Sequence, residues 1–167
     1  MKPPVIVVMG VSGCGKSSIG MRLAGHLGVR FEEGDSYHPQ SNVEKMSRGI
    51  PLDDDDRKGW LEILAGLLGT AHQHNEGLIL SCSALKARYR DLLRASCPGL
   101  QFVYLQGSFD TISERMAARA GHFMPTSLLE SQFNTLEEPT GEPGVVTCDV
   151  QLAPEVLVEE ALQALTH

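Results

Sequence analysis

Two short stretches carry groups that could bind or activate a ligand. GVSGCGKS, Gly10 to Ser17, fits the pattern G-x-x-x-x-G-K-[ST]. It follows the apolar run VIVVMG and opens a helix-like stretch at its lysine. Glycines let the backbone curl so that successive N–H groups point inward, an anion nest at a helix N-terminus. There Lys16 reaches the outer phosphates of a nucleotide, and the Ser17 hydroxyl ligates a magnesium ion. Gly10, Val11, Ser12, Gly13, Cys14 and Gly15, with Ser18 just beyond, complete the cradle, Cys14 through its backbone. A dinucleotide fingerprint lacks the lysine, and the Asn-Lys-x-Asp guanine reader of signalling GTPases does not occur in the chain. What remains is a small-molecule kinase or an ATPase.

The second stretch is EGDSYHP, residues 33 to 39, which sets Asp35 beside Tyr37 and His38 at the end of an apolar segment. Phosphoryl transfer needs an in-line hydroxyl, cations over the travelling group and exclusion of water. A carboxylate here can accept the proton of an acceptor hydroxyl, hold a magnesium-bound water, or sit solvated in a turn. Residue types alone leave these three open. In DDDDR (53–57), adjacent helical residues point in different directions, so the four aspartates cannot all grip one ion. Asp53 or Asp54 is expected to cap a helix. Arg57 is then the cation able to take a carboxylate by two parallel bonds. Arg115 and Arg119 share a helix face that runs into Gly121 and His122, a pattern expected of a lid over about 119–135 that closes on a triphosphate.

These groups need a frame. The chain has 167 residues, 42% hydrophobic and 21% charged, as an ordinary soluble globular protein does. Net charge is −7 with no basic run, and aromatics make up 5%, which argues against nucleic acid as a partner. No stretch approaches the ~20 apolar residues of a membrane span, and the N-terminal run is too brief for a secretory core. Cys14, Cys82, Cys97 and Cys148 lack any CxxC spacing and read as reduced, mostly buried thiols of a cytoplasmic protein.

Short β-branched runs alternate with helix-length stretches. Strands are expected over 5–10, 29–35, 77–84, 100–107 and 144–150, and helices over 16–28, 39–49, 53–75, 86–95, 109–121 and 154–166. PTSLLESQFNTLEE (125–138) lies between the last helix but one and the fifth strand, with no element assigned to it. Such alternation implies right-handed crossovers and a parallel sheet covered on both faces, an α/β fold in one domain over 1–167.

GDSYHPQSNVEKM, GIPLDDDDRKGWL, CSALKARYRDLLR and RAGHFMPTSLLESQFNTLEEP together resemble the gluconokinase family, from the phosphate loop to about Val150. The resemblance implies a P-loop kinase fold: a five-stranded parallel sheet of order 2-3-1-4-5, a lid and a substrate-binding helical region. It implies transfer of the ATP γ-phosphate, with Mg2+, to the 6-hydroxyl of D-gluconate, and a homodimer as in similar bacterial enzymes. By position, Lys16, Asp35 and Arg119 would be catalytic, with Asp35 the base or hydroxyl-orienting group. Asp35, His38, Lys45, Arg57, Ser83, Lys86, Arg90 and His122 would form the acceptor side. Arg115 and Arg119 would close on the nucleotide, and Gln151 to Pro154 would pack against adenine.

Overall fold

A computed structural model describes residues 3–118 and 126–165. The first strand, β1 (Val5–Met9), is buried on both faces. Alternation sends Ile6 and Val8 into one apolar cluster and Val7 and Met9 into the other. All four are 0% exposed, and full burial of such a side chain contributes roughly 1.5–3 kcal/mol. Around it lie β2 (Arg30–Glu33), β3 (Leu78–Ser81), β4 (Gln101–Gln106) and β5 (Val145–Asp149), all parallel, in the order β2-β3-β1-β4-β5. The register pairs Val5 with Leu78 and Ile6 with Gln101, fixing β1 between β3 and β4.

Seven described helices cover the sheet: α1 (Lys16–Leu27), α2 (Gln40–Ser47), α3 (Asp54–Gln73), α4 (Ala87–Ser96), α5 (Phe109–Ala118), α6 (Thr126–Thr135) and α7 (Pro154–Leu165). Leu23 of α1, Ile112 of α5 and Leu157 of α7 pack in the first cluster, and Trp60 and Leu64 of α3 with Leu93 of α4 in the second. The expected strands are present, but each is shorter than the apolar run that marks it. β2 stops at Glu33 because the chain tightens into a 3₁₀ turn over Gly34–Tyr37. α6 lies within the segment to which the hydrophobic pattern assigns no element. No described helix is long and apolar enough to cross a membrane.

Order reverses at β1, whose neighbours β3 and β4 lead to opposite sides. In such sheets a crevice opens at the carboxyl ends of the strands. The loop after β1 and the turn after β2 both lie at that edge.

Candidate active site

The phosphate loop ends on Gly15, which caps α1 with φ 98°, a left-handed conformation that side chains resist. α1 has no side-chain cap and no acid in its first turn, so its leading N–H groups face the cleft unpaired by side chains. α3 is the opposite case. Asp53 accepts from the Asp56 N–H at 2.8 Å and Asp56 returns a bond to the Asp53 N–H, a closed capping box. The cap expected at Asp53 or Asp54 is therefore Asp53.

Lys16 Nζ donates to the Gly10 and Val11 carbonyls at 3.1 and 3.0 Å, folded over the loop it serves. The Ser17 hydroxyl donates to Glu33 Oε2, and Ser81 Oγ donates to Glu33 Oε1 at 2.5 Å. Ser81 Oγ in turn accepts the Gly34 N–H at 3.1 Å. A hydroxyl backed by a carboxylate suits a hard, oxygen-seeking cation. Among the described residues no cluster of three His, Cys, Asp or Glu could hold a metal by itself. A cation at Ser17 would thus need phosphate oxygens and water as its other ligands, as magnesium in nucleotide sites does. The cleft over the loop has a volume of about 670 Å³ and runs past Glu33 and Asp35 to Arg115. A smaller hollow of about 180 Å³ adjoins it, lined by Arg115, Val150, Leu152 and Pro154. Gln151 is exposed and does not line it; its side chain reaches Thr111 Oγ1 at 3.4 Å. Cys14 is buried and its thiol is pushed up in pKa, chiefly by desolvation; Cys82 is driven to about 12 by the same cause. Neither is a nucleophile at neutral pH.

A narrower pocket continues from the phosphate end, lined by Ser12, Lys16, Asp35, His38, Arg57, Trp60, Ser83 and Gln132 among others. Gly34 brings Asp35 there: a Cβ at this position would lie 2.0 Å from the Ser81 carbonyl oxygen, so only glycine lets the turn lie against β3. Trp60 Nε1 donates to the Gly34 carbonyl at 2.8 Å and holds the turn from the other side. The Asp35 side chain is 68% exposed, whereas that of His38 is 4% exposed. Burial, aided by the Arg57 charge and opposed by Asp35, lowers the His38 pKa and keeps the ring neutral.

Arg57 is 8% exposed. Its Nη1 donates to the Tyr89 hydroxyl at 3.2 Å, and Tyr89 donates onward to Asp54. Among the described residues its guanidinium meets no carboxylate. Buried cations are ordinarily paired. An unpaired one lining a pocket is suited to receive an anion.

The other expected acceptor-side cations are engaged elsewhere. Lys45 Nζ holds Asp56 at 2.8 Å, and Lys86 Nζ holds Asp54 at 3.1 Å. Arg90, expected near the pocket, does not line it. It is 0% exposed and bonds the Ala84 and Glu137 carbonyls, both at 2.8 Å, and Glu142 at 2.9 and 2.6 Å. It clasps the segment after α6 to the turn after β3. Arg119 and His122 lie outside the described residues. Three residues carry roles that the sequence reading did not give them. Glu33 sits two positions before Asp35 and backs Ser17. Gln132 of α6 takes the Ser12 N–H at 2.7 Å and returns a bond to Ser12 Oγ at 3.0 Å. Asn42, 2% exposed, bonds His38 and the Asp56 carbonyl. The forward signals were a carboxylate spaced i, i+2 from Asp35 and polar side chains within two of the four segments that carry the family resemblance.

A phosphate loop at the switch point of a 2-3-1-4-5 parallel sheet, facing a carboxylate and an anion-seeking arginine, defines a P-loop kinase of small molecules. A family model for shikimate kinase matches residues 12–141. The chain is 44% identical over 162 residues to the thermoresistant gluconokinase of Escherichia coli (strain K12), covering 96% of this chain and 93% of that one. It is 44% identical over 163 residues to a gluconokinase of Gluconobacter oxydans (strain 621H), with 98% and 92% covered. A crystal structure of a gluconokinase from Sinorhizobium meliloti 1021 superposes with a TM-score of 0.92 at 52% identity, over 98% of this chain and 92% of that one. The chain belongs to the gluconokinase family, within the broader group of shikimate kinase-like enzymes.

Proposed function

We propose that this protein transfers the γ-phosphate of ATP to the 6-hydroxyl of D-gluconate, giving 6-phospho-D-gluconate and ADP. The observation that carries the reading is Arg57, a buried guanidinium without a carboxylate partner in the pocket that also holds Asp35. A sugar acid supplies what both lack: a carboxylate for Arg57 and, at its other end, a hydroxyl for Asp35.

The transition state of phosphoryl transfer is loose, so positioning and charge matter more than strong base catalysis. Arg57 anchors the substrate carboxylate by two parallel bonds. Asp35 orients the acceptor hydroxyl and takes its proton as the oxygen–phosphorus bond forms. Ser83 offers a further bond along the pocket. Lys16 leaves the loop carbonyls for the phosphates and balances charge on the travelling group, with Arg115 on the nucleotide side and Arg119 expected from the lid. Ser17, held by Glu33, would hold Mg2+, which when bound would offset negative charge on the nucleotide phosphates. The hollow beside Pro154 is the place for adenine. We further read 1–167 as one catalytic domain, with residues 119–135 as its lid, acting in the cytoplasm as a homodimer. Sedimentation of the purified chain tests the dimer.

The activity is tested by coupled detection of ADP, with Mg-ATP and a panel of D-gluconate, other aldonates, shikimate and nucleoside monophosphates. Stimulation by gluconate above the rest is expected. A rate that no acceptor raises would overturn the reading.

A further inference from the structure

The surroundings of His38 determine where its proton sits. Asn42 places one side-chain atom 2.8 Å from the Asp56 carbonyl oxygen, which can only accept, so that atom is the amide nitrogen. The same nitrogen lies 3.2 Å from His38 Nδ1. An amide nitrogen has no lone pair to give, so Nδ1 must be the acceptor. A neutral imidazole has one unprotonated nitrogen, and the proton is therefore on Nε2. Protonating Nδ1 as well would set N–H against N–H.

Nε2 in turn lies 3.8 Å from Asp35 Oδ1. Trp60 stacks on the ring at 4.1 Å and 16°, which fixes its plane. No side chain among the described residues hydrogen-bonds the Asp35 carboxylate, and His38 is the cation-capable group nearest it. The remaining charge facing the ring is Arg57, from α3.

We propose that His38 is a positioning residue for the acceptor carboxylate: held by Asn42 as the Nε2–H tautomer, it directs a donor at Asp35 Oδ1 and leaves Oδ2 for the substrate hydroxyl. The proposal rests on the reading of Asp35 given above. An exposed carboxylate rotates freely, and an in-line reaction tolerates little rotation. Asp35 is 3.8 Å away and exposed, so a turn of its carboxylate toward the ring would bring the pair to hydrogen-bond length. The donor cannot be replaced by an acceptor, because Asn42 occupies the only other ring nitrogen. Asn42 thus acts on the reaction at two removes, through a ring that it touches on the side away from substrate.

Two measurements test this. Long-range ¹H–¹⁵N NMR of the full chain without ligand reads the tautomer directly. A protonated Nε2 and a bare Nδ1 are expected, and the reverse would overturn the proposal whatever the enzyme's substrate. Kinetics test the role. His38→Phe keeps the stack on Trp60 and removes the donor. It should lower kcat about 10- to 100-fold, the span for one hydrogen bond to a charged group, with KM for ATP unchanged within about twofold. His38→Gln, which restores an amide donor near the Nε2 position, should recover part of the loss. In an Asp35→Asn background, His38→Phe should cost less than about twofold more, because the two residues act as one unit. A further loss as large as in the wild type would mean a role independent of Asp35 and overturn the proposal. Unchanged turnover in Asp35→Asn alone would instead overturn the base assignment, and the NMR result would still stand, so the two failures are distinguishable.

Discussion

Arg57→Met removes the pocket's unpaired charge while keeping length and apolar bulk. In the ligand-free protein Arg57 is 8% exposed and makes one side-chain hydrogen bond, to Tyr89, which keeps its own partner Asp54 when the arginine is gone. The substitution orphans no buried polar group and relieves the desolvation of a charge. Replacing buried charges with apolar residues is often neutral or stabilising by about 1–4 kcal/mol. Tm should therefore hold or rise by a few degrees, about 2–4 °C per kcal/mol for a chain of this size. Catalysis should move the other way. Two charge-assisted bonds at the low value of about 1.5 kcal/mol each amount to about 3 kcal/mol, or roughly 100-fold in kcat/KM for gluconate. KM for ATP should stay near the wild-type value. Differential scanning calorimetry and the coupled ADP assay on the same preparation provide both readouts, and saturating gluconate should raise the Tm of the wild type only. A variant that melts several degrees lower yet binds gluconate normally would show that Arg57 holds the fold together and does not receive the substrate carboxylate.

Three further outcomes are expected. Gly34→Ala, whose Cβ would lie 2.0 Å from the Ser81 carbonyl oxygen, should destabilise by about 1–3 kcal/mol and lower kcat by displacing Asp35, as measured by urea unfolding and turnover. Glu33→Gln weakens the hold on the Ser17 hydroxyl and should raise the Mg2+ concentration for half-maximal rate by about 10- to 100-fold, with gluconate KM little changed; a magnesium titration at fixed ATP would show it. Glu142→Gln should cost about 3 kcal/mol at pH 7, because it leaves the guanidinium of Arg90 without its carboxylate. Arg90 first, then Arg94, hold the Glu142 pKa below its ordinary 4.5 against some desolvation, so the carboxylate contributes stability that is fully present above that value. The gap between variant and wild type in urea should close only as pH falls below 4.5 through the lowered folded value.

The phosphate loop was legible because its glycines and lysine are demanded at fixed spacing by one geometry, and the strands because two-sided burial leaves runs such as VIVVM. The acceptor side was legible only in part, and the arginines show why. Arg57 and Arg90 both sit in helices among polar neighbours, and nothing local separates them. Arg90 is claimed by Glu137 and Glu142, which lie 47 and 52 residues further along the chain. Lys45 and Lys86 are claimed by the aspartates of the DDDD run, which local reasoning assigned to capping alone. Nothing in the polar stretch around Asn42 marks it for burial, yet α3 covers it. α6 was legible in principle, since Leu129, Phe133 and Leu136 stand at i, i+4 and i+7 and all pack in the first cluster. Its polar neighbours and the preceding Pro125 led it to be read as a connection. Long-range partners, not local pattern, decide which cation remains for substrate.

The exposure of Asp35 bears on how the reaction ends. A carboxylate that is 68% exposed has no lysine or arginine within ion-pair distance among the described residues. Before transfer it faces a neutral hydroxyl; on the reading above it then holds that hydroxyl's proton, gives it up to the water it is exposed to, and as a carboxylate again faces a phosphate with nearly two negative charges. Like charges a few ångströms apart repel. The product is thus pushed outward at one end while Arg57 still grips it at the other, so departure begins at the phosphate. The residue that admits the acceptor also ejects the ester, and the back reaction is disfavoured at the same point.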